Sequence, residues 1–145
     1  MQITNTELTV SLMRRYPNAR RQIFDAEFDA WEPGALSSIY SQFIWQMRLL
    51  GLTIWLRNKL DCDKWAWLLK AYVILRNALS SNTNMRAIGL ICYMIDGDPK
   101  RPHCIISAAI REGDSYRITE LEPQPRGGLL TLTTAELATV WFVAY

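Results

Sequence analysis

The sequence predicts an α+β fold, with a helical N-terminal half packed on a small C-terminal antiparallel sheet. Up to about residue 85, the apolar residues recur mainly at helical spacing. Beyond that point, apolar runs of strand length alternate with turn-forming segments such as DGDPK and REGDS. The 145 residues, half of them hydrophobic, suit a single domain spanning 1–145 with one core.

Four helices are predicted in the first half. The first begins at a candidate N-cap, Thr6, and ends before Pro17. The second covers residues 18–31, where large apolar side chains stand at helical spacing ahead of a Pro-Gly breaker. The third covers residues 35–50. The fourth, over residues 62–79, is apolar on nearly every side, which is typical of a helix at the centre of a fold.

Strands are predicted in the second half. Residues 87–96 form a nearly continuous apolar run, and residues 102–110 form a second one after a turn. Residues 116–122 alternate as a half-exposed strand does. The segment 129–145 predicts a short strand, one helical turn capped by Thr133 or Thr134, and a closing strand rich in β-forming residues.

Composition argues against nucleic acid and membranes as partners. The net charge of +2 is too small to indicate a general affinity for nucleic acid or for an anionic membrane. The basic residues near the N-terminus favour a solvated helical face over a binding patch, because no aromatic residues are interleaved with them. No apolar run approaches the ~20 residues that span a bilayer, and the start MQITNTELTV lacks the pattern of a signal peptide.

The cysteines predict free thiols. There are three, an odd number at irregular spacing, which argues against a disulfide framework and for a reducing compartment, the cytoplasm. Cys92 and Cys104 lie inside apolar strands, where free cysteine is commonly a small buried hydrophobe.

Cys62 is placed differently, between Asp61 and Asp63 at the front of the fourth helix. With Asp61 as N-cap, Cys62 lies among unpaired backbone N–H groups, where the helix dipole favours a thiolate and lowers the thiol pKa. The two carboxylates oppose ionisation, because a like charge disfavours it. A reactive Cys62 therefore requires a cationic partner.

The chain has one histidine, His103, at the start of a predicted strand. Glu120 and Glu122 share one face of the next strand, and Glu122 precedes a proline, which holds it extended. Cysteine, histidine and carboxylate are the elements of a nucleophile, a base and an orienting acid. The structural alternative stays open: a buried thiol, a packed histidine, and aspartates that only cap a helix.

The runs LDCDKWAWLLKA, PHC and ITELEPQ, in that order, resemble the papain-like cysteine protease domain of the Marasmius oreades agglutinin type and related small bacterial and phage proteins. The resemblance covers roughly residues 58–145 and implies a papain-like fold. It implies Cys62 as the nucleophile, His103 as the base and Glu122, in E-P-Q, as the orienting acid.

The same resemblance makes calcium possible as a cofactor, although the residues alone indicate none. Lys64 stands where many relatives have a second aspartate, which argues against a cation site. For the oxyanion, the backbone N–H of Cys62 is one candidate donor and Asn58 is a second, against a plain turn role for Asn58.

Together these features predict a cysteine peptidase or amide hydrolase that forms a covalent acyl-enzyme on a protein or peptide substrate, in the cytoplasm of a bacterium or of a phage-infected host. Interception of the acyl group by an amine would make the protein a transferase. The main alternative is a non-catalytic binding protein on the same scaffold, such as a phage accessory protein acting on a host factor. A further alternative is a structural subunit whose apolar first half forms an oligomer interface.

Overall fold

The computed structural model describes residues 1–53, 61–80 and 84–145. The helices in these ranges are α1 (Asn5–Arg15), α2 (Ala35–Leu49), α3 (Cys62–Ala78) and α4 (Thr134–Ala138). The strands are β1 (Gln2–Thr4), β2 (Arg20–Gln22), β3 (Glu27–Asp29), β4 (Met85–Arg86), β5 (Ile88–Met94), β6 (Pro102–Glu112), β7 (Ser115–Glu122), β8 (Gly128–Leu130) and β9 (Phe142–Ala144).

A six-stranded mixed sheet, in the order β2-β9-β5-β6-β7-β8, organises the fold. The pair β2–β9 is parallel, and the remaining pairs are antiparallel. A smaller sheet has the order β1-β3-β4. Both sheets therefore include strands from the N-terminal half of the chain.

Helices cover both faces of the large sheet. Successive residues of a strand point to opposite faces, so each strand contributes side chains to both helical layers. On one face, Leu90, Ile106 and Ala108 pack in a core with buried residues of α2 and α3. On the other face, Ile91, Ile105 and Ala109 pack in a second core with buried residues of α1. The sheet is thus the middle layer of the molecule.

Two short helices begin at capping boxes, in which the cap hydroxyl and a glutamate three residues later satisfy each other's backbone N–H groups. In α1 the cap is Thr4 with Glu7, so the predicted cap at Thr6 is two residues late. In α4 the cap is Thr133 with Glu136, one of the two predicted positions.

The predicted helical half over a small sheet is wrong. Residues 18–31 form β2 and β3 in place of the predicted helix. Phe28 is fully buried in β3, whereas Phe24 is 76% exposed, so the large side chains do not share one buried helical face. The backbone groups of these short strands bond to β1, β4 and β9, whose pairing outweighs the local helical pattern.

The prediction of free thiols at Cys92 and Cys104 is also wrong. The two residues lie directly opposite each other in the β5–β6 pair, with Cα atoms 4.2 Å apart, and their sulfurs form a disulfide. Cys62 is the free cysteine. The disulfide removes the thiol-based argument for a reducing compartment, since disulfides persist mainly in oxidising ones. No helix in the described ranges is long and apolar enough to cross a membrane.

The disulfide predicts a simple thiol count. In denaturant without reductant, one thiol per chain should react with a chromogenic disulfide reagent, because Cys92 and Cys104 are bonded to each other. After reduction, all three cysteines should react. The Cys62→Ser variant should show none before reduction and two after it. Three reactive thiols before reduction would contradict the cross-strand bond.

Candidate functional site

Cys62 is the first residue of α3, as predicted, and Asp61 occupies the N-cap position. The Asp61 side chain does not cap the helix; its carboxylate lies 2.7 Å from the Lys64 ammonium. The backbone N–H of Asp63 instead donates to the Cys62 sulfur, so the helix N-terminus supports the thiolate directly.

His103 and Glu122 lie on neighbouring antiparallel strands, His103 near the start of β6 and Glu122 at the end of β7. The His103 Nε2 and Glu122 Oε2 atoms are 2.6 Å apart. Tyr93, opposite His103 on β5, places its ring edge-on to the imidazole with centroids 5.7 Å apart. Ring and carboxylate together fix the imidazole orientation.

The His103 imidazole is near enough to Cys62 to be the largest cause of a lowered thiol pKa. Partial burial opposes this shift, whereas backbone N–H groups of Cys104 and Asp63 lower the thiol pKa further. Burial disfavours the charged imidazole, but its interactions with Cys62 and Glu122 outweigh burial and raise the His103 pKa to about 9. Between these two pKa values the pair exists as thiolate and imidazolium.

Glu122 is held by the turn that follows β7. The Gln124 backbone N–H donates to Glu122 Oε1 at 3.1 Å, and the Tyr40 hydroxyl donates to the Gln124 carbonyl at 2.7 Å. Gly127 packs so closely that a Cβ there would lie 2.3 Å from the Glu122 carbonyl oxygen. Sequence reasoning missed these supporting residues; the adjacent glycines after E-P-Q-P-R are the signal that could have indicated a crowded turn.

Glu120, the other candidate acid, has different partners. Its side chain is buried against α1, where Arg15 donates two hydrogen bonds of 3.0 Å to its carboxylate and the Tyr16 hydroxyl donates one of 2.7 Å. The structure therefore brings Glu122, and not Glu120, to His103.

Two further predicted features have different outcomes. Asn58, the candidate oxyanion donor, lies outside the described residues. Lys64 Nζ lies 2.7 Å from Asp61 and 3.8 Å from Asp63, so a side-chain ammonium supplies the positive charge beside these carboxylates. Within the described ranges, no group of three or more histidine, cysteine or acidic side chains could hold a metal ion. Calcium remains an untested prediction.

The arrangement can carry out nucleophilic attack. A thiolate is the reactive form of cysteine, and the adjacent imidazolium can deliver a proton to a departing or newly formed oxyanion. Cys62 is only partly buried.

Comparison with known proteins gives a fold likeness. No family model matches, and no curated protein matches. A solved structure described as a complex of PSL1a with E64 is similar, with a TM-score of 0.77, 19% identity, 99% of this chain covered and 50% of that chain. A structure of the Polyporus squamosus lectin bound to the epitope Neu5Acα2-6Galβ1-4GlcNAc has a TM-score of 0.71 and 21% identity, with 99% and 49% covered. This chain spans about half the length of these neighbours, and at such identities the likeness concerns the fold alone.

These comparisons correct the predicted family. One neighbour is described as PSL1a in complex with E64 and the other as the Polyporus squamosus lectin; neither is described as a papain-like cysteine protease of the agglutinin type. The prediction of a papain-like fold is also wrong: the structure is built mainly on a six-stranded sheet, and its fold resembles that of these neighbours.

The predicted function changes accordingly. A cysteine peptidase or amide hydrolase acting on a protein or peptide is not supported by the neighbours, one of which is described as a lectin bound to a glycan. The comparisons agree better with the alternative of a binding protein, although neither neighbour is a phage protein.

Proposed function

We propose that this chain is a non-catalytic binding domain that holds an electrophilic ligand at Cys62 as a one-to-one covalent adduct. The observation that carries the proposal is the row of Cys62, His103 and Glu122, in which Glu122 holds the His103 imidazole, His103 lowers the thiol pKa, and Cys62 is only partly buried. One fold neighbour is described as a lectin bound to a glycan, and the other is described as PSL1a in complex with E64.

The roles of the three side chains follow from their contacts. Glu122 holds Nε2 of His103, which leaves the other ring nitrogen for the sulfur. The imidazolium stabilises the thiolate and stores the proton that the thiol lost. A structural cysteine would instead lie in apolar surroundings that raise its pKa.

Capture of an epoxide illustrates the chemistry. The Cys62 thiolate attacks one ring carbon, an S–C bond forms, and the C–O bond to that carbon breaks. The released alkoxide takes the proton from the His103 imidazolium. The product is a thioether and a hydroxyl group, with His103 left neutral and still hydrogen-bonded to Glu122. A thioether is not hydrolysed by water, so the ligand stays bound.

The test uses E64, an epoxide that alkylates thiolates. Incubation at pH 6 should add one equivalent to the chain, measured by intact mass, and peptide mapping should place it on Cys62. The Cys62→Ser variant, which is nearly isosteric, is the matched control and should gain no mass. Cys92 and Cys104 should remain joined in both proteins.

Two results would overturn the proposal. Failure of E64 to modify the folded protein would remove Cys62 as the ligand site. Release of more than one product equivalent per chain from an ester or peptide, dependent on Cys62, would show turnover and replace stoichiometric binding with catalysis.

A further inference from the structure

A cavity lies against α3, where Lys70 and Ile74 line it. Its volume is about 170 Å³, and its floor is formed by Phe28, Ile88 and Tyr145, each at most 2% exposed. None of the residues that line it belongs to the row of Cys62, His103 and Glu122. An apolar cavity of about 150 Å³ is large enough to hold benzene, so this space accommodates a small ring or a short aliphatic chain.

A buried cation shares this floor. Lys70 lines the cavity and is only 8% exposed. Its ammonium donates one hydrogen bond, of 3.0 Å, to the Ala144 carbonyl and lies 5.8 Å from the centre of the Trp67 ring. An ammonium has three N–H donors, so within the described residues two of them lack a hydrogen-bond acceptor. Burial of such a group is costly without an acceptor or a counter-charge.

The rim of the cavity limits what can enter. Phe24 and Ile74 are exposed apolar side chains at the rim, and the carboxylate of Asp25 lies beside them at the surface. Burial lowers the pKa of Lys70, and the attraction of Asp25 offsets this only in part; Asp25 makes no hydrogen bond to the ammonium in the described structure. A ligand with a second negative charge at its outer end would be repelled by Asp25.

We propose that this cavity binds a small monocarboxylate with an apolar body, its carboxylate on the Lys70 ammonium and its body against Phe28, Ile88 and Tyr145. The ligand supplies the acceptors that the ammonium lacks, in a charge-assisted hydrogen bond within an apolar enclosure. The apolar body displaces water from the floor and the rim. Benzoate has the required size and charge, and it carries no electrophile, so Cys62 takes no part.

The test is a titration of the intact protein with benzoate, followed by NMR chemical shifts and calorimetry. Benzoate should bind saturably and shift resonances of Phe28, Ile88 and Tyr145. Benzyl alcohol, which has the ring but no charge, should bind at least about tenfold more weakly. Lys70→Met keeps the length of the side chain and should abolish the preference for benzoate, whereas Lys100→Met, at an exposed turn, should leave it unchanged.

A second variant guards against misfolding of Lys70→Met. Ile74→Trp enlarges a rim side chain and leaves Lys70 in place, so it should block benzoate and benzyl alcohol alike while the unfolding midpoint stays near that of the wild type. Equal binding of the acid and the alcohol, retained preference in Lys70→Met, or no shift at the floor residues would overturn the proposal.

Discussion

Replacing His103 with alanine should slow alkylation of Cys62 by iodoacetamide at pH 6 by on the order of 100-fold. In the wild type, the interaction with His103 is the largest cause of the lowered Cys62 pKa. Without the imidazolium, partial burial and the nearby carboxylates act against the thiolate, and the pKa returns toward ~8.5. At a pH below the thiol pKa, each unit by which that pKa rises reduces the fraction of thiolate about tenfold.

The alkylation rate of Cys62 should depend on pH differently in the wild type and in the His103→Ala variant. The His103 pKa of about 9 keeps the imidazolium charged throughout the neutral range, so wild-type Cys62 should react faster than an ordinary thiol across that range. Reactivity of the His103→Ala variant should rise with pH and approach that of the wild type near pH 9, where an ordinary thiol is ionised. The measurement is the second-order alkylation rate from pH 5 to 9, with the adduct located by mass.

Glu122→Gln is the companion variant, because the amide keeps the shape and removes the charge that supports the imidazolium. Its rate at pH 6 should fall between those of the wild type and His103→Ala. If His103→Ala and the wild type share one pH profile, the thiol and the imidazole are not coupled, and the row of side chains has no chemical role.

Replacing Glu120 with alanine should lower the free energy of unfolding by about 3 kcal/mol. The carboxylate accepts two hydrogen bonds from Arg15 and one from Tyr16, whose hydroxyl is also 3.1 Å from the Ser107 hydroxyl. Its loss leaves buried donors without acceptors and a cation without its partner. The Arg15 side chain is 31% exposed, so solvent screens its ion pair with Glu120 and reduces the part of the stability loss that comes from this pair.

Urea unfolding measures this effect, through a lower midpoint at an unchanged slope. The matched control is Glu112→Ala, which removes a half-exposed partner of Arg117 on the same pair of strands and should cost under about 0.5 kcal/mol. Similar losses in both variants would mean that the buried cluster stabilises the fold no more than a surface pair.

The two glutamates show which features of the candidate site could be predicted from the sequence. Alternation places Glu120 and Glu122 on one face of β7, but the partners of Glu120 come from a segment far away in the chain. These partners, Arg15 at the end of α1 and Tyr16 directly after it, are about 105 residues distant, and no local pattern indicates that α1 crosses this face. The contact between His103 and Glu122 followed more readily, because adjacent strands bring them together.

The errors in the fold arose from long-range pairing. Segment 18–31 has the local spacing of a helix, yet its short strands pair with β1, β4 and β9. Cys92 and Cys104 were recognised as strand residues, but only the β5–β6 register, in which they are direct partners, joins their sulfurs. By contrast, α2 and α3 were predicted closely, since an apolar face and a stop signal are both local.

The position of β9 between β2 and β5 has a consequence for synthesis of the chain. Gln22 of β2 pairs with Ala144 of β9, about 120 residues later. At the ~5–20 residues per second of translation, β2 emerges from the ribosome roughly 6 to 24 s before its partner strand exists. In the later part of that interval, once β5 has been made, the edge of β5 that pairs with β9 is also unpaired and can pair with other nascent chains. We expect the protein to depend on chaperones that shield nascent chains more than its size alone suggests.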